Sequence, residues 1–153
     1  MKPLVRPKKL SLKITPLFSR FSRISRRGAW RIASDLPASF RYAAHGIVYS
    51  LLSQRNFRIH LFMGVLVFGM AIWLKLSINH LSVLVLTVTA VLVLELLNTA
   101  IEAVVDLAIG RRYHPLARIA KDCSAASVLV ASISSVIIAS LLLFPPLLTQ
   151  LGM

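Results

Sequence analysis

Residues 81–107 read LSVLVLTVTAVLVLELLNTAIEAVVDL, an apolar run whose acidic residues all fall in its second half. A helix of this length would be about 40 Å long, enough to cross the roughly 30 Å hydrocarbon core of a bilayer. Because a carboxylate inside such a helix costs at least about 2.5 kcal/mol, its acidic face must meet protein, water or a cation. The run therefore predicts a transmembrane helix that carries chemistry on one face.

The composition of the whole chain points to the same class of protein. Of its 153 residues, 57% are hydrophobic and 15% are charged, whereas soluble domains average roughly 45–50% and about 25%. A soluble fold of this size would have to leave large apolar patches exposed. The chain is therefore interpreted as one integral membrane domain.

Two further apolar runs and one amphipathic segment complete the predicted architecture. The first span covers residues 57–76 and the third covers residues 122–144, where Pro145 and Pro146 are expected to end the helix. Before them, apolar residues recur at helical spacing in residues 37–55, which predicts a helix lying along the membrane surface. The predicted fold class is all-α integral membrane, with three transmembrane helices preceded by an amphipathic surface helix.

The distribution of charge predicts the orientation of the chain. It has 18 Lys and Arg against 5 Asp and Glu, a net charge of +13, and 13 of the basic residues lie at or before Arg58. Segments rich in Lys and Arg stay cytoplasmic, so we expect a multi-pass protein of a bacterial-type inner (cytoplasmic) membrane with its amino terminus inside. This charge favours contact with an anionic membrane surface. Nucleic acid is not expected as a partner, because the basic residues adjoin apolar spans and no nucleic-acid motif is present.

The first 34 residues differ from the rest of the chain. They contain no acidic residue and are rich in Ser, Arg and Lys. This composition predicts a basic, disordered cytoplasmic tail before a membrane domain at residues 35–153. An organelle transit peptide shares the same signature, and that alternative stays open.

Four of the five acidic residues fall within 28 otherwise strongly apolar positions: Glu95, Glu102, Asp106 and Asp122. At about 100° per residue, Asn98, Glu102 and Asp106 all lie within about 60° of Glu95 on a helix. Such a stripe of oxygen ligands could hold Mg²⁺ and a polyphosphate at the membrane interface. Intramembrane acids also build proton or ion pathways, or pair with basic groups of a neighbouring subunit. The residues alone leave these three interpretations open.

Residues 95–106, together with Ala120-Lys121-Asp122, resemble the signature of the prokaryotic diacylglycerol kinase family. A second block, Ser39-Phe40 through Asn56-Phe57-Arg58-Ile59-His60, resembles its undecaprenol kinase branch. The resemblance covers residues 36–148. It implies a small three-span homotrimer that phosphorylates the hydroxyl of a lipid alcohol with Mg²⁺ and ATP. Members lack a Gly-rich phosphate loop, so its absence here agrees with kinase activity.

The resemblance also implies a role for each matching position. Glu95 is the general base that takes the proton of the lipid hydroxyl, and Glu102 binds Mg²⁺ and ATP. The other positions contact the nucleotide (Tyr42, Gln54, Lys121 and Asp122) or support the site (Asn98 and Asp106). Residues 112–114 occupy the loop over the phosphates.

Gln54 departs from the family pattern, because members commonly have a second metal-binding glutamate there. An amide oxygen is a neutral and weaker ligand for Mg²⁺. Gln54 therefore either still binds the metal through its oxygen, or binds a second metal poorly, or lowers activity. The acceptor is undecaprenol or diacylglycerol, and residues 56–60 favour undecaprenol.

Two other functions remain alternatives to a kinase. One is a small proton- or cation-conducting membrane oligomer that uses the acidic stripe. The other is a non-catalytic scaffold derived from the kinase fold, which Gln54 keeps open. The four histidines are scattered without close metal spacing and are interpreted as interfacial or structural, and Ser124 is interpreted as a helix-packing residue.

Overall fold

The computed structural model describes residues 36–110 and 112–152, which form four α-helices: α1 Leu36–Ser53, α2 Arg55–Trp73, α3 Ile78–Ile109 and α4 Pro115–Gln150. Helices α2, α3 and α4 are each long and apolar enough to cross a membrane. The all-α fold with three spans is confirmed. Tyr42–Met153 form one compact unit, to which the first turns of α1 do not belong. The interpretation of residues 1–34 lies outside the described residues.

The connection between α2 and α3 is a four-residue turn closed by two backbone hydrogen bonds. Leu76 N donates to Ala71 O and Lys75 N donates to Ile72 O, both at 3.0 Å. This pairing is the Schellman motif, in which the residue after the C-cap adopts a left-handed conformation. Lys75 occupies that position with φ of 52°. The short turn makes α2 and α3 antiparallel neighbours.

A small apolar core lies at this end of the three spans. Ala71, Leu84 and Leu143 are buried together, one from each helix. Leu76 packs against the same cluster, so the residue that closes the turn is also held by the core. Elsewhere α3 packs chiefly against α4 and less extensively against α2. Most large apolar side chains of the spans are exposed, as expected of surfaces that face lipid or another chain.

Gly64 sets the distance between α2 and α3. It is buried, and a Cβ built on it would lie 2.8 Å from Val88 Cγ1. Valine is β-branched and stiff at χ1 in a helix, so this contact cannot easily be relieved by rotation. Gly69, also on α2, has no atom within 4 Å of the same built Cβ. Gly69 is therefore a matched control position for a substitution at Gly64.

We expect Gly64→Ala to be less stable than Gly69→Ala by about 1–3 kcal/mol, the usual cost of inserting a methyl group into a packed contact. Both variants gain the same helix propensity, about 0.5–1 kcal/mol, so the difference isolates the contact with Val88. The measurement is the unfolding free energy of the two variants in the same detergent. A Gly64→Ala variant as stable as Gly69→Ala would contradict the close approach.

Helix α4 is longer at its start than the sequence predicts. The predicted span begins at residue 122 after a loop, whereas α4 begins at Pro115. Proline is favoured at the first helical position because its missing N–H has no intrahelical partner there. His114 Nδ1 accepts a hydrogen bond from Leu116 N at 3.3 Å and caps the first turn. Lys121 and Asp122 therefore lie nearly two turns inside α4.

The prediction that Pro145 and Pro146 end the third span is wrong. The helix continues through both to Gln150. Each proline removes one N–H donor and crowds the carbonyl four residues earlier, but membrane helices tolerate proline where nearby groups and adjusted backbone bonds satisfy the freed carbonyls. Thr149 Oγ1 donates to Pro145 O at 3.1 Å, and Leu151 N donates to Leu147 O at 3.1 Å. The helix therefore closes beyond the prolines.

Six hydroxyl groups of α4 lie within hydrogen-bonding distance of backbone carbonyls three or four residues earlier in the same helix: Ser124, Ser127, Ser132, Ser134, Ser140 and Thr149. Hydroxyls of this kind satisfy their own hydrogen-bonding needs. These six hydroxyls are therefore compatible with a helix surface that faces lipid.

Candidate active site

The acidic stripe of α3 runs from a buried end to an exposed end. Glu95 is 2% exposed, Glu102 is half-buried, and the side chain of Asp106 is 61% exposed. Asp106 lies 11 residues after Glu95, so the stripe is about 16 Å long along the helix axis. A carboxylate held away from water thus stands in line with carboxylates that water or a nucleotide can reach.

Asn98 joins the stripe to α4. Its Nδ2 donates to Glu102 Oε1 at 3.5 Å, and its Oδ1 accepts from Ser124 Oγ at 2.6 Å. The Ser124 hydroxyl lies 2.9 Å from Lys121 O as well, so it has one acceptor on each helix. Ser124 is therefore part of the site and not only a packing residue. Sequence reasoning missed this role because a small polar residue carries no signal of the atom it will face.

Lys121 and Asp106 are also brought together. Lys121 Nζ donates to Asp106 Oδ1 at 2.5 Å, an ion pair between α4 and α3. Asp122, by contrast, points to Arg118 on its own helix at 3.5 Å, and both side chains are 70% exposed. An exposed pair of this kind contributes little to stability. Asp122 is accordingly accessible to a ligand at the end of the bundle.

Gln54 lies at the break between α1 and α2. Its backbone is extended, with φ of −102° and ψ of 115°, and its side chain makes no capping hydrogen bond. Arg58 holds the junction, because its Nη1 donates to Leu51 O at 3.0 Å and Leu52 O at 3.3 Å. A cation at a helix C-terminus also offsets the dipole of α1. Gln54 is therefore positioned at the junction of α1 and α2. Tyr42 lies on α1, about three turns before the end of that helix.

A cavity of about 280 Å³ opens between α2, α3 and α4 beside Glu95. Its polar lining comes from all three helices: Asn56, His60, Glu95, Asn98 and Ser132. The remaining lining is apolar: Ile59, Ala125, Val128 and Leu129. A few polar groups in an apolar cavity are typical of small-molecule sites. The spacing of Asn56 and His60, four residues apart in an apolar helix, was the signal that could have identified both residues.

A second, more open cavity of about 660 Å³ lies at the connection between α3 and α4. Arg112, Tyr113 and His114 line it, together with the end of α3. Gly110 begins the connection with φ of 61°, a conformation that favours glycine. This is the loop that the family resemblance places over the phosphates.

The oxygen ligands fit a magnesium ion that arrives with a nucleotide. Among residues 36–110 and 112–152, no three His, Cys, Asp or Glu side chains converge as a metal site. Mg²⁺ seldom needs such a cage, because it keeps several waters and is held by one or two carboxylates together with substrate phosphates. Glu102 would supply one such carboxylate on α3. Its hydrogen-bond partner among the described residues is Asn98 and not Gln54.

Comparison with known proteins identifies the family of this chain. Residues 41–143 match the family described as prokaryotic diacylglycerol kinase. The chain is 53% identical over 124 residues to a diacylglycerol kinase of Synechocystis sp., covering 81% of this chain and 71% of that protein. It is 39% identical over 109 residues to the undecaprenol kinase of Bacillus subtilis, covering 71% of this chain and 88% of that protein. It is 37% identical over 103 residues to the diacylglycerol kinase of Escherichia coli, covering 67% and 84%.

The matched region contains α2, α3 and α4 as far as Leu143. It also contains every candidate site residue described above. The resemblance inferred from residues 95–106 and 120–122 is therefore confirmed. This three-span chain, with its acid-bearing central helix bound to α4 through Asn98 and Ser124, belongs to the prokaryotic diacylglycerol kinase family.

Proposed function

We propose that this protein is an ATP-dependent lipid kinase that phosphorylates the hydroxyl of a membrane lipid alcohol, diacylglycerol or undecaprenol. The observation that carries the proposal is the buried carboxylate of Glu95 at a partly apolar cavity, on the same helix face as Glu102. An ion conduit would need neither the bonded Asn98 nor the Lys121–Asp106 pair at its end. The names of the relatives support the same activity.

The two ends of the acidic stripe of α3 have different roles in the reaction. Glu95 accepts the proton of the lipid hydroxyl, whose oxygen then attacks the γ-phosphorus of ATP in line with the departing ADP. Glu102, to which Asn98 donates a hydrogen bond, would hold Mg²⁺ together with the phosphates. When bound there, the ion would supply positive charge against the negative charge that develops during transfer. Lys121 and Asp122 contact the nucleotide at the exposed end of α4.

The active unit is proposed to be a homotrimer with sites shared between copies. The support is the large apolar surface that α2, α3 and α4 leave exposed, which must face lipid or another chain. We further propose that the protein lies in a bacterial-type inner membrane beside anionic lipid, with its amino terminus in the cytoplasm. Cysteine labelling at Val5 and Gln150 should then occur from opposite sides, and labelling from one side would refute that orientation.

The activity is tested with purified protein, Mg²⁺, γ-labelled ATP and mixed micelles of either lipid. Transfer of label to undecaprenol or to diacylglycerol supports the proposal, and the ratio of kcat/KM values identifies the preferred acceptor. An absence of label in every lipid alcohol would instead favour the scaffold interpretation. Ion flux in liposomes without ATP turnover would favour the conduit.

We expect Gln54→Glu to lower the concentration of Mg-ATP required for half-maximal activity without changing the preferred lipid. A carboxylate adds charge at the break between α1 and α2 and adds no apolar shape that could select a lipid. The measurement is the KM for Mg-ATP and the kcat/KM ratio of the two lipids, in wild type and variant. A reversed lipid preference would show that Gln54 shapes the acceptor site and would contradict its role as a weak metal ligand.

A further inference from the structure

Two titratable side chains line the cavity between the three spans, Glu95 of α3 and His60 of α2. The other lining residues are two amides, a serine and apolar side chains, and α4 contributes no titratable group to it. Along α3, the next carboxylate on the same face is Glu102, about two turns from Glu95. Within the cavity, His60 is therefore the single titratable group facing Glu95.

The cavity that Glu95 and His60 share is large enough for a bound water molecule to carry a proton from one side chain to the other. Among the described residues, no hydrogen bond or ion pair joins His60 to Glu95. A water molecule needs about 10–15 Å³ of such volume, and the cavity offers about 280 Å³. It can thus hold the hydroxyl end of a lipid and several water molecules at once. Asn56, Asn98 and Ser132 supply the polar partners that such molecules require.

The kinase reaction transfers the hydroxyl proton of the lipid to Glu95. Glu95 needs a second group to release that proton. When the alcohol oxygen forms its bond to phosphorus, its O–H bond breaks and the proton passes to the base. Glu95 is 2% exposed, so it has almost no direct contact with bulk water outside the cavity. His60 is half-buried and lies five residues after Arg55, about 7.5 Å from the start of α2. Imidazole both accepts and donates a proton near neutral pH.

We propose that His60 is the proton relay of this site, a role that rests on the proposed kinase activity. The alcohol oxygen bonds to the γ-phosphorus, and the bond from that phosphorus to the β–γ bridging oxygen breaks with its electron pair leaving on ADP. The hydroxyl proton passes to the Glu95 carboxylate and then, through water in the cavity, to an imidazole nitrogen of His60. His60 releases it toward the start of α2, and Glu95 is again a carboxylate for the next lipid.

The test compares His60→Gln and His60→Ala with a control, His80→Gln, at an exposed position in the first turn of α3. We expect both His60 variants to lower kcat about 10²-fold, the lower end of what a positioned proton-transfer group contributes. The KM values for Mg-ATP and for the lipid should not change, because binding does not use the relay. His80→Gln should match wild type.

Added imidazole separates a relay from a structural role. It should restore kcat of His60→Ala, where truncation leaves room for it, and should not restore His60→Gln or Glu95→Gln. Wild-type kcat in His60→Gln, or a rise in KM without a fall in kcat, would overturn the relay. So would a failure of imidazole to restore a His60→Ala protein whose thermal unfolding matches wild type. If His60→Ala does not fold, the kcat and KM values of His60→Gln decide whether His60 is the proton relay. A wild-type protein inactive on every lipid alcohol would instead refute the proposed function itself.

Discussion

Replacing Glu95 by Gln is expected to lower kcat about 10²- to 10⁴-fold, the contribution usual for a positioned general base. Glutamine has nearly the same shape, so the buried site and the cavity beside it should persist. Its amide cannot accept the hydroxyl proton. The KM for Mg-ATP should stay close to the wild-type value, because Glu102 lies farther along the stripe and Lys121 of α4 pairs with Asp106 at its exposed end.

The matched control for this experiment is Thr99→Val, one turn along the same buried face. Thr99 is 9% exposed and its Oγ1 donates to the backbone oxygen of Glu95 at 3.0 Å. That hydroxyl is engaged within the helix and does not line the cavity. Thr99→Val should retain most of the turnover, with at most a loss of stability of about 1 kcal/mol. Near-native kcat in Glu95→Gln would show that another group takes the proton.

Replacing Glu102 by Gln is expected to change both the rate and its dependence on magnesium. The substitution removes the carboxylate that we place on Mg²⁺, and kcat at low Mg²⁺ should fall about 10²- to 10³-fold, as it does when one electrostatic group is lost from a transition-state site. Saturating Mg²⁺ should recover part of this loss. The amide can still accept the hydrogen bond from Asn98, so the link to α4 is kept.

A magnesium titration at fixed ATP distinguishes the two acidic positions. Glu102→Gln should shift the half-maximal Mg²⁺ concentration upward, whereas Glu95→Gln should lower the plateau without moving the midpoint. If the midpoint of Glu102→Gln equalled that of wild type, Glu102 would not bind the metal. Thermal unfolding of both variants in the same detergent confirms that each protein is folded.

The fold was largely predictable because membrane spans depend on local patterns. Hydropathy and helical periodicity identified three runs whose helices now begin and end within a few residues of the prediction at α2 and α3. The ends of α4 were not predictable in the same way. Proline rules derived from soluble helices assigned Pro145 and Pro146 as a stop, whereas the helix satisfies its backbone beyond them.

The site was predictable along one helix but not between helices. The alignment of Glu95, Asn98 and Glu102 follows from the α-helical repeat alone. The partners of these residues depend on how α2 and α4 pack against α3. Ser124 facing Asn98, and His60 sharing a cavity with Glu95, therefore emerge only in three dimensions. The pairing of Lys121 with Asp106 is of the same kind.

The self-bonded hydroxyls of α4 bear on how the protein is made. A helix in which six Ser and Thr hydroxyls can donate to its own carbonyls can leave the translocon for the bilayer without waiting for a neighbour. Even Ser124 has the carbonyl of Lys121 available until Asn98 arrives. Helix α3 differs: Asn98 and Glu102 can bond each other within the helix, but the carboxylates of Glu95 and Asp106 have no comparable partner in α3 before docking. During biogenesis α3 should therefore be the span retained longest beside the insertion machinery, and α4 the helix that allows its release.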